Sequence, residues 1–234
     1  ISGRVNRVWD SRQKKTVAGR FGLKANKPNN LLLVTAAAFV NDIGITNPLF
    51  PNEICTAAQI KCSETPNGND EEGVELPAHL LELTANFTRN LAVPARRNMN
   101  DPAVIKGRKL FYDVGCQLCH APSFVTGASG KMPHLANQTI WPYSDMLIHD
   151  MGEELSSGRT DYDATGAEWR TPPLWGVGLS FEVNGNGNLL HDGRARNIEE
   201  AILWHGGEAE RIKMSFVELS VEQRQWLISF VSSL

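Results

Sequence analysis

Five consecutive residues, Cys116-Gln117-Leu118-Cys119-His120, decide how this chain folds around its site. Two thiols at this spacing can add across the two vinyl groups of a haem, and the imidazole that follows can then reach the iron from one face. The C-x-x-C-H run is therefore typical of c-type haem attachment, with His120 as the proximal ligand. The alternatives are a zinc site that adds another histidine, or a redox C-x-x-C motif beside an incidental histidine.

The composition is that of a globular protein without an excess of either charge. The chain has 234 residues and a formal net charge of −3, with no basic block, so nucleic acid is not an expected partner. The longest apolar stretch, residues 31–40, is shorter than the roughly 20 residues that span a bilayer, so we expect no transmembrane segment. Residue 1 is Ile and no signal peptide is visible, so we expect a mature, trimmed or truncated product.

The remaining cysteines, Cys55 and Cys62, lie close together in a region rich in Pro, Asn and Gly. A disulfide between them would close a short loop and stabilise the fold by roughly 2–3 kcal/mol, whereas the alternative is two unpaired thiols. Covalent haem attachment and a disulfide both point outside the reducing cytoplasm. The bacterial periplasm fits both, and we expect the protein there.

Two helices with strong start signals flank the C-x-x-C-H motif. The first begins at Asp101-Pro102 and carries small and apolar residues on one face up to the motif. The last begins at Ser220, where Gln223 completes a capping-box pattern, and carries an apolar stripe to Leu234. This pair resembles the crossed helices of class I cytochromes c, and Gly107 would let the two backbones approach closely.

The rest of the chain is predicted to be helical or irregular. Further helices are expected after the N-cap Asn30 and over residues 76–91, whereas the Gly-rich middle, residues 121–196, shows few clear strands. We therefore predict a mainly α fold, with a class I cytochrome c-like helical domain at residues 101–234 that has long irregular loops. Residues 1–100 would be the tail of an N-terminal domain and a crossover segment, the remnant of a second cytochrome-like domain.

The second axial ligand decides whether the iron keeps an open position. His205 ends an apolar helical stripe that follows the cap Asn197 and stops at a double glycine. From periodicity alone this imidazole is either an iron ligand or a core histidine bonded to a carbonyl. Met151 is the main methionine rival, and His191 could ligate, orient another group or bond a loop. The other candidates are Met132, His134, Met146, His149 and Met214.

Haem propionates are carboxylates, and arginines often neutralise them through charge-assisted hydrogen bonds. Arg170 stands directly before a T-P-P-L-W run, and Arg194 follows a His-Asp-Gly turn. We predict that these two arginines contact the propionates, although either could be an ordinary loop arginine.

Several runs of the chain look like the di-haem oxidoreductase family, often labelled "thiol oxidoreductase". That family is related to the bacterial di-haem cytochrome c peroxidases and to the tryptophan-modifying di-haem enzyme of methylamine utilisation. The matching runs include Gly19-Arg20-Phe21-Gly22, Asn41-Asp42-Ile43-Gly44-Ile45-Thr46, Gly107-Arg108-Lys109-Leu110-Phe111, Gly115–His120, Leu147–Gly152, Trp169–Gly176, Leu190–Ala195 and Glu199–Ala209.

The resemblance implies a choice of sixth ligand. In the peroxidases a T-P-x-L run precedes an H-D-G turn, and the sixth ligand of the C-terminal haem lies on the helix after that turn. Carried onto this chain, the pattern lands on His205, where the peroxidases have Met and the tryptophan-modifying enzyme has Tyr. Resemblance and periodicity therefore agree on a haem held by His120 and His205.

The family carries two C-x-x-C-H motifs, and this chain has one. The resemblance implies that the reactive haem lies before residue 1, or that this is a single-haem variant. We expect a bis-His, low-spin haem c that serves as an electron-transfer module of a di-haem, peroxidase-like oxidoreductase. It would exchange electrons with a redox donor or acceptor protein.

Two other functions compete with this hypothesis. One is a stand-alone monohaem cytochrome c electron carrier, and the other is a thiol–disulfide enzyme that uses Cys116 and Cys119 directly. Relatives of the family would also suggest a Ca²⁺ ion between domains, although the sequence does not locate one.

Overall fold

The chain forms two compact units in the computed structural model, which describes residues 1–130 and 132–234. The hairpin unit comprises Arg7–Phe21 and Lys27–Ala92, and the motif unit comprises Ile1–Asn6, Gly22–Asn26 and Val93–Leu234. The C-x-x-C-H run therefore lies in a unit that also includes two short segments from the start of the chain. The domain boundary that the sequence predicts near residue 100 stays a prediction.

The hairpin unit begins with a small antiparallel sheet. Val8 and Asp10 are buried while their neighbours are exposed, the alternation of a strand with one covered face. The carboxylate of Asp10 accepts the amides of Arg12 and Gln13 and so closes the hairpin turn. The strands, in sheet order, are β1 (Arg7–Asp10), β2 (Lys15–Phe21) and β3 (Lys27–Pro28).

Helices form the rest of the regular structure in the hairpin unit, with Leu32 and Ala36 packed on Leu81 and Ala85. Asn30 caps the first helix by accepting the amide of Leu33, as predicted. No helix among the described residues is both long and apolar enough to cross a bilayer. The helices are α1 (Leu31–Ile43), α2 (Ile60–Glu64) and α3 (Ala78–Arg89).

The predicted disulfide is present between Cys55 and Cys62, and it joins the loop after α1 to the short helix α2. Closing such a loop restricts the unfolded chain, so the bond stabilises a segment that has little core of its own. The prediction of this disulfide is confirmed.

The motif unit combines helices with two-stranded antiparallel pairs. Its elements are α4 (Pro102–Val114), β4 (Phe124–Val125), β5 (Thr139–Ile140), β6 (Ile148–Asp150), β7 (Glu168–Arg170), α5 (Ser180–Asn184), α6 (Ile198–Leu203), α7 (Glu210–Val217) and α8 (Val221–Ser232). Single 3-10 turns lie at Cys116–Leu118, Pro133–Leu135, Glu153–Leu155, Val177–Leu179 and Gly207–Ala209. The strand pairs are β4 with β5 and β6 with β7.

The core of the motif unit lies where α4 crosses α8. Asp101 caps α4 and the Ser220–Gln223 capping box begins α8, as their sequences predict. A Cβ added to Gly107 would lie 1.9 Å from the carbonyl oxygen of Trp226, so the two backbones are in direct contact. The buried residues around this crossing are Val104, Phe111, Tyr143, Phe216, Leu227, Phe230, Val231 and Leu234.

The prediction of a mainly α, class I cytochrome c-like fold with a second cytochrome-like remnant is wrong. Helix accounts for 38% of the chain and strand for 13%, with several small sheets. The hairpin β1–β2 was missed because polar and charged residues hide its alternation. The pairs β4–β5 and β6–β7 contain two or three residues a strand, which is too short for periodicity to show.

Replacing Gly107 with alanine should destabilise the protein by about 1–3 kcal/mol. The new methyl group would overlap the backbone of α8 at Trp226, which cannot rotate away as a side chain could. This cost outweighs the gain of up to about 1 kcal/mol in helix propensity. Urea unfolding of the variant would measure the change. Gly127→Ala is the matched control, since a Cβ there meets nothing within 4 Å. A Gly107→Ala variant at least as stable as the control would contradict the close crossing.

Candidate functional site

The C-x-x-C-H motif lies where α4 ends in a sharp turn. Gly115 ends α4 in the left-handed conformation, with φ of 103°, and the 3-10 turn Cys116–Leu118 follows at once. The amide of His120 donates to the carbonyl of Cys116 over 3.0 Å. The imidazole Nδ1 of His120 donates to the Tyr143 carbonyl at 2.9 Å, which makes Nε2 the nitrogen available to a metal.

His205 lies opposite His120, with their ring centroids 6.5 Å apart. Asn197 caps α6 by accepting the amide of Glu200, and the helix ends just before His205. The Nδ1 of His205 donates to the carbonyl of Ala201 at 2.6 Å, so here too Nε2 is the available nitrogen. The sequence left open whether His205 ligates iron or bonds a carbonyl. The two roles are compatible, because the carbonyl uses Nδ1 and leaves Nε2 for a metal.

The space between these two histidines fits a metalloporphyrin. Two imidazoles bound to opposite faces of one metal, with bonds of about 2.0–2.1 Å, place their ring centroids roughly 6 Å apart. Both rings line a cavity of about 500 Å³, in the size range of cofactor sites. Its apolar walls include Phe111, Leu155, Trp169, Leu174, Trp175, Leu190, Ile198, Ile202, Ile212, Leu227 and Val231.

A zinc site at the motif gains no support from the geometry. Within residues 1–130 and 132–234, no group of three or more His, Cys, Asp or Glu side chains is placed to hold a metal ion. A porphyrin brings its own four nitrogens, so two protein ligands are enough for it. The Ca²⁺ ion suggested by relatives stays a prediction.

Burial sets the protonation of the motif residues. It lowers the pKa of His120 to about 4, with the nearby His205 as the second cause, and it also lowers the pKa of His205. Both rings are therefore neutral near pH 7, the form that ligates metals. Burial raises the pKa of Cys116 to about 12, whereas a thiol–disulfide enzyme needs a thiol that ionises easily.

His149, one of the candidate ligands, has carboxylates at both ring nitrogens. Its Nε2 lies 2.8 Å from Asp145 and its Nδ1 lies 3.2 Å from Glu208, with the sulfur of Cys119 at 3.7 Å. Burial lowers the pKa of this ring, but the hydrogen bonds to Asp145, Cys119 and Glu208 raise the pKa to about 10. His149 is therefore a cation at neutral pH, which cannot ligate a metal.

His191 lines the cavity and stacks on Trp169, with ring centroids 3.6 Å apart. The amino group of Lys24 lies 3.8 Å from the centre of the Trp169 ring and donates to the carbonyls of Thr165 and Glu168. Sequence reasoning missed Lys24, because nothing in its local pattern distinguishes it from a surface lysine. The structure makes this stack a wall of the cavity.

Among the remaining methionine and histidine candidates for the sixth ligand, some line the cavity and others do not. Met151 lines the cavity, and the sulfur of Met146 accepts a hydrogen bond from Arg170 at 3.5 Å. Met132, His134 and Met214 are not among the residues that line the cavity, and Met214 is exposed. His205 is the candidate whose ring lies opposite His120.

The two predicted arginines lie in different environments. Arg170 lines the cavity, and its Nε donates to the carbonyl of Gly22 at 2.8 Å. Arg194 is not among the cavity residues and instead pairs with Asp192 at 2.7 Å. Lys213, which sequence reasoning did not single out, lines the cavity and pairs with Glu210 at 2.6 Å. Contact with a propionate stays a prediction for both arginines.

Comparison with known proteins gives one match along the whole chain. The family described as "Di-haem oxidoreductase, putative peroxidase" matches residues 1–234. No curated protein matches the chain. A solved structure of hydrazine synthase from Kuenenia stuttgartiensis, pressurised with 20 bar xenon, is similar at 20% identity with a TM-score of 0.42. That match covers 67% of this chain and 55% of the other chain, and the likeness is too weak to carry an argument.

Replacing His149 with glutamine should cost most stability at low pH. The folded-state pKa of about 10 lies above the value of about 6.5 for a free histidine. The stabilisation by the charged ring is therefore complete below about pH 6.5 and is lost as the pH rises through 10. Urea midpoints at pH 6, 8 and 10 should show the difference between the native protein and the variant shrinking. A difference in urea midpoint that stays constant with pH would contradict a charged His149 ring. His79→Gln is the control, because His79 lies on an exposed helix surface.

Proposed function

Because the chain belongs to the di-haem oxidoreductase family, we propose that its motif unit holds one haem c and serves as an electron-transfer module of a peroxidase-like enzyme. The observation that carries this proposal is the pair of imidazoles, His120 and His205, whose ring centroids lie 6.5 Å apart and which both line one apolar cavity. Cys116 and Cys119 line the same cavity, where their sulfurs would form the thioether bonds.

The two histidines would hold the iron of a bound haem through their Nε2 atoms. The carbonyls of Tyr143 and Ala201 hold each ring by its Nδ1–H and so fix which nitrogen faces the metal. With both imidazoles bound, such a haem would leave peroxide no place to bind. When bound, the haem supplies an iron that cycles between two oxidation states and passes single electrons.

The cavity walls set the conditions for electron transfer. Apolar side chains exclude water, and imidazole lacks the preference of a thioether for reduced iron, so a bis-His pair gives a lower potential than His and Met together. Arg170 and Lys213 are cations that line the cavity. They would balance the propionates, with Arg194 farther out in a pair with Asp192.

The hairpin unit would accompany a second haem-binding domain. The family is di-haem, whereas the sequence contains one C-x-x-C-H motif. Leu80, Leu83 and Phe87 are exposed along α3, an apolar surface that a further domain could cover. A stand-alone monohaem carrier is the alternative, and the count of C-x-x-C-H motifs in the full gene distinguishes the two.

A periplasmic location and a redox partner protein belong to the same proposal. Covalent haem attachment and the Cys55–Cys62 disulfide both point outside the reducing cytoplasm. Electrons must reach this haem from outside the chain, and a donor or acceptor protein is the partner that this chemistry requires.

The purified protein should give the pyridine haemochrome spectrum of a haem c, and the haem should resist extraction with acidified organic solvent. A variant with both Cys116→Ser and Cys119→Ser should release its haem, because the two thioether bonds are gone. Replacing the disulfide cysteines, Cys55→Ser with Cys62→Ser, is the control and should retain covalent haem. A colourless protein with two reactive thiols would favour the thiol–disulfide enzyme instead.

Replacing His205 with methionine should raise the midpoint potential, since the thioether favours reduced iron. Potentiometric titration followed by visible spectroscopy would measure the shift. His191→Met is the matched control, because His191 lines the same cavity but stacks on Trp169. A midpoint that moves in His191→Met and stays fixed in His205→Met would show that the ligand was assigned wrongly.

A further inference from the structure

We propose that Asp145, His149 and Glu208 form a clamp that keeps His205 on the iron, so that weakening the clamp opens the sixth coordination position. The clamp joins the loop before β6, whose backbone contacts the turn that carries His120, to the loop that follows His205. This inference rests on the proposed function, since it requires His120 and His205 to be the axial ligands.

The first end of the clamp is fixed to the proximal side. The amide of Asp145 donates to the carbonyl of Cys119 at 2.8 Å. Two residues earlier, the carbonyl of Tyr143 accepts the Nδ1–H of His120 at 2.9 Å. The position of Asp145 is therefore tied to the haem-attachment turn at two points.

The second end of the clamp lies three residues after His205. Glu208 accepts the amide of Asp150 through Oε1 at 3.2 Å, and its Oε2 faces His149. A Cβ added to Gly207 would lie 2.3 Å from the carbonyl oxygen of Asp150, so this turn packs directly on the backbone beside His149. A shift of Glu208 would therefore carry the end of α6 and His205 with it.

His149 connects these two ends with a charged ring. Its side chain is 2% exposed, and it contacts Asp145 at 2.8 Å and Glu208 at 3.2 Å. Ionised carboxylates only accept hydrogen bonds, so both ring nitrogens must carry hydrogen and the ring must be an imidazolium. His149 pairs with Trp169 of β7, and its neighbour Ile148 forms an isolated bridge to Arg4, so the backbone of β6 has little freedom to follow either loop.

The arrangement makes the clamp a positioning device for the distal histidine. Removing one partner of a buried charged pair leaves the other unsatisfied, and the loops then relax to solvate it. The proximal loop cannot move far, because haem attachment and the core hold it. The loop that follows α6 would therefore move instead. Because this loop is next to His205, that side chain would dissociate from the iron more often.

Carbon monoxide binding to the reduced holoprotein measures this directly, because the gas binds iron only after His205 dissociates. We expect His149→Gln and Glu208→Gln to bind carbon monoxide roughly ten-fold faster than the native protein. This corresponds to a change of about 1.4 kcal/mol in the free energy that separates bound from dissociated His205. Glu218→Gln is the control. Glu218 is an exposed carboxylate just after α7 that does not line the cavity, so its removal should leave the rate unchanged.

The outcomes separate this inference from the proposed function. Native-like rates in both variants, beside a bis-His low-spin native protein, would overturn the clamp, even if urea midpoints fall. A native protein that is high-spin or binds carbon monoxide without delay would instead overturn ligation by His205. If His149→Gln does not accumulate with haem, Glu208→Gln decides alone, because its side chain is only partly buried.

Discussion

The hydrogen bond from His120 to the carbonyl of Tyr143 links the core of the motif unit to its site. Tyr143 is fully buried, and its ring meets Phe111 and Phe230 edge-on at 5.8 Å each. Phe111 belongs to α4 and Phe230 to α8, so the crossing of these helices fixes where that carbonyl points. Tyr143 holds a φ of 51°, a conformation that costs a non-glycine residue energy and persists here because the surrounding core imposes it.

Where the sequence carried a local physical signal, the structure agrees with it. The caps Asn30, Asp101 and Ser220 each accept the amide that their patterns predict, since a cap needs only the residues beside it. The ring centroid of His205 lies 6.5 Å from that of His120, and ligation of the iron by His205, which the apolar stripe and the family resemblance favour, stays a prediction. The three caps could be predicted because each depends only on residues within one turn of the helix start.

Features that depend on distant partners could not be found in this way. Lys24 reads as a surface lysine until Thr165 and Glu168 supply its carbonyl partners from far along the chain. The charge on His149 likewise requires both Asp145 and Glu208, and the second is distant in sequence. Short strands such as β4 and β6 are set by their pairing partners, which is why a fold with much loop was mistaken for a mainly helical one.

The early segments of the chain bear on how the protein can be dissected. Arg4 pairs with Glu168 at 2.6 Å, and Lys24 donates to backbone carbonyls beside Trp169. A genetic fragment that starts at residue 101 would keep every cysteine and histidine of the site. It would nonetheless remove the ammonium group that contacts the cavity residue Trp169 and the bridge partner of Ile148. The part of the chain needed for folding is therefore longer than the part that contains the site residues. Shortened versions for study should retain the first 26 residues.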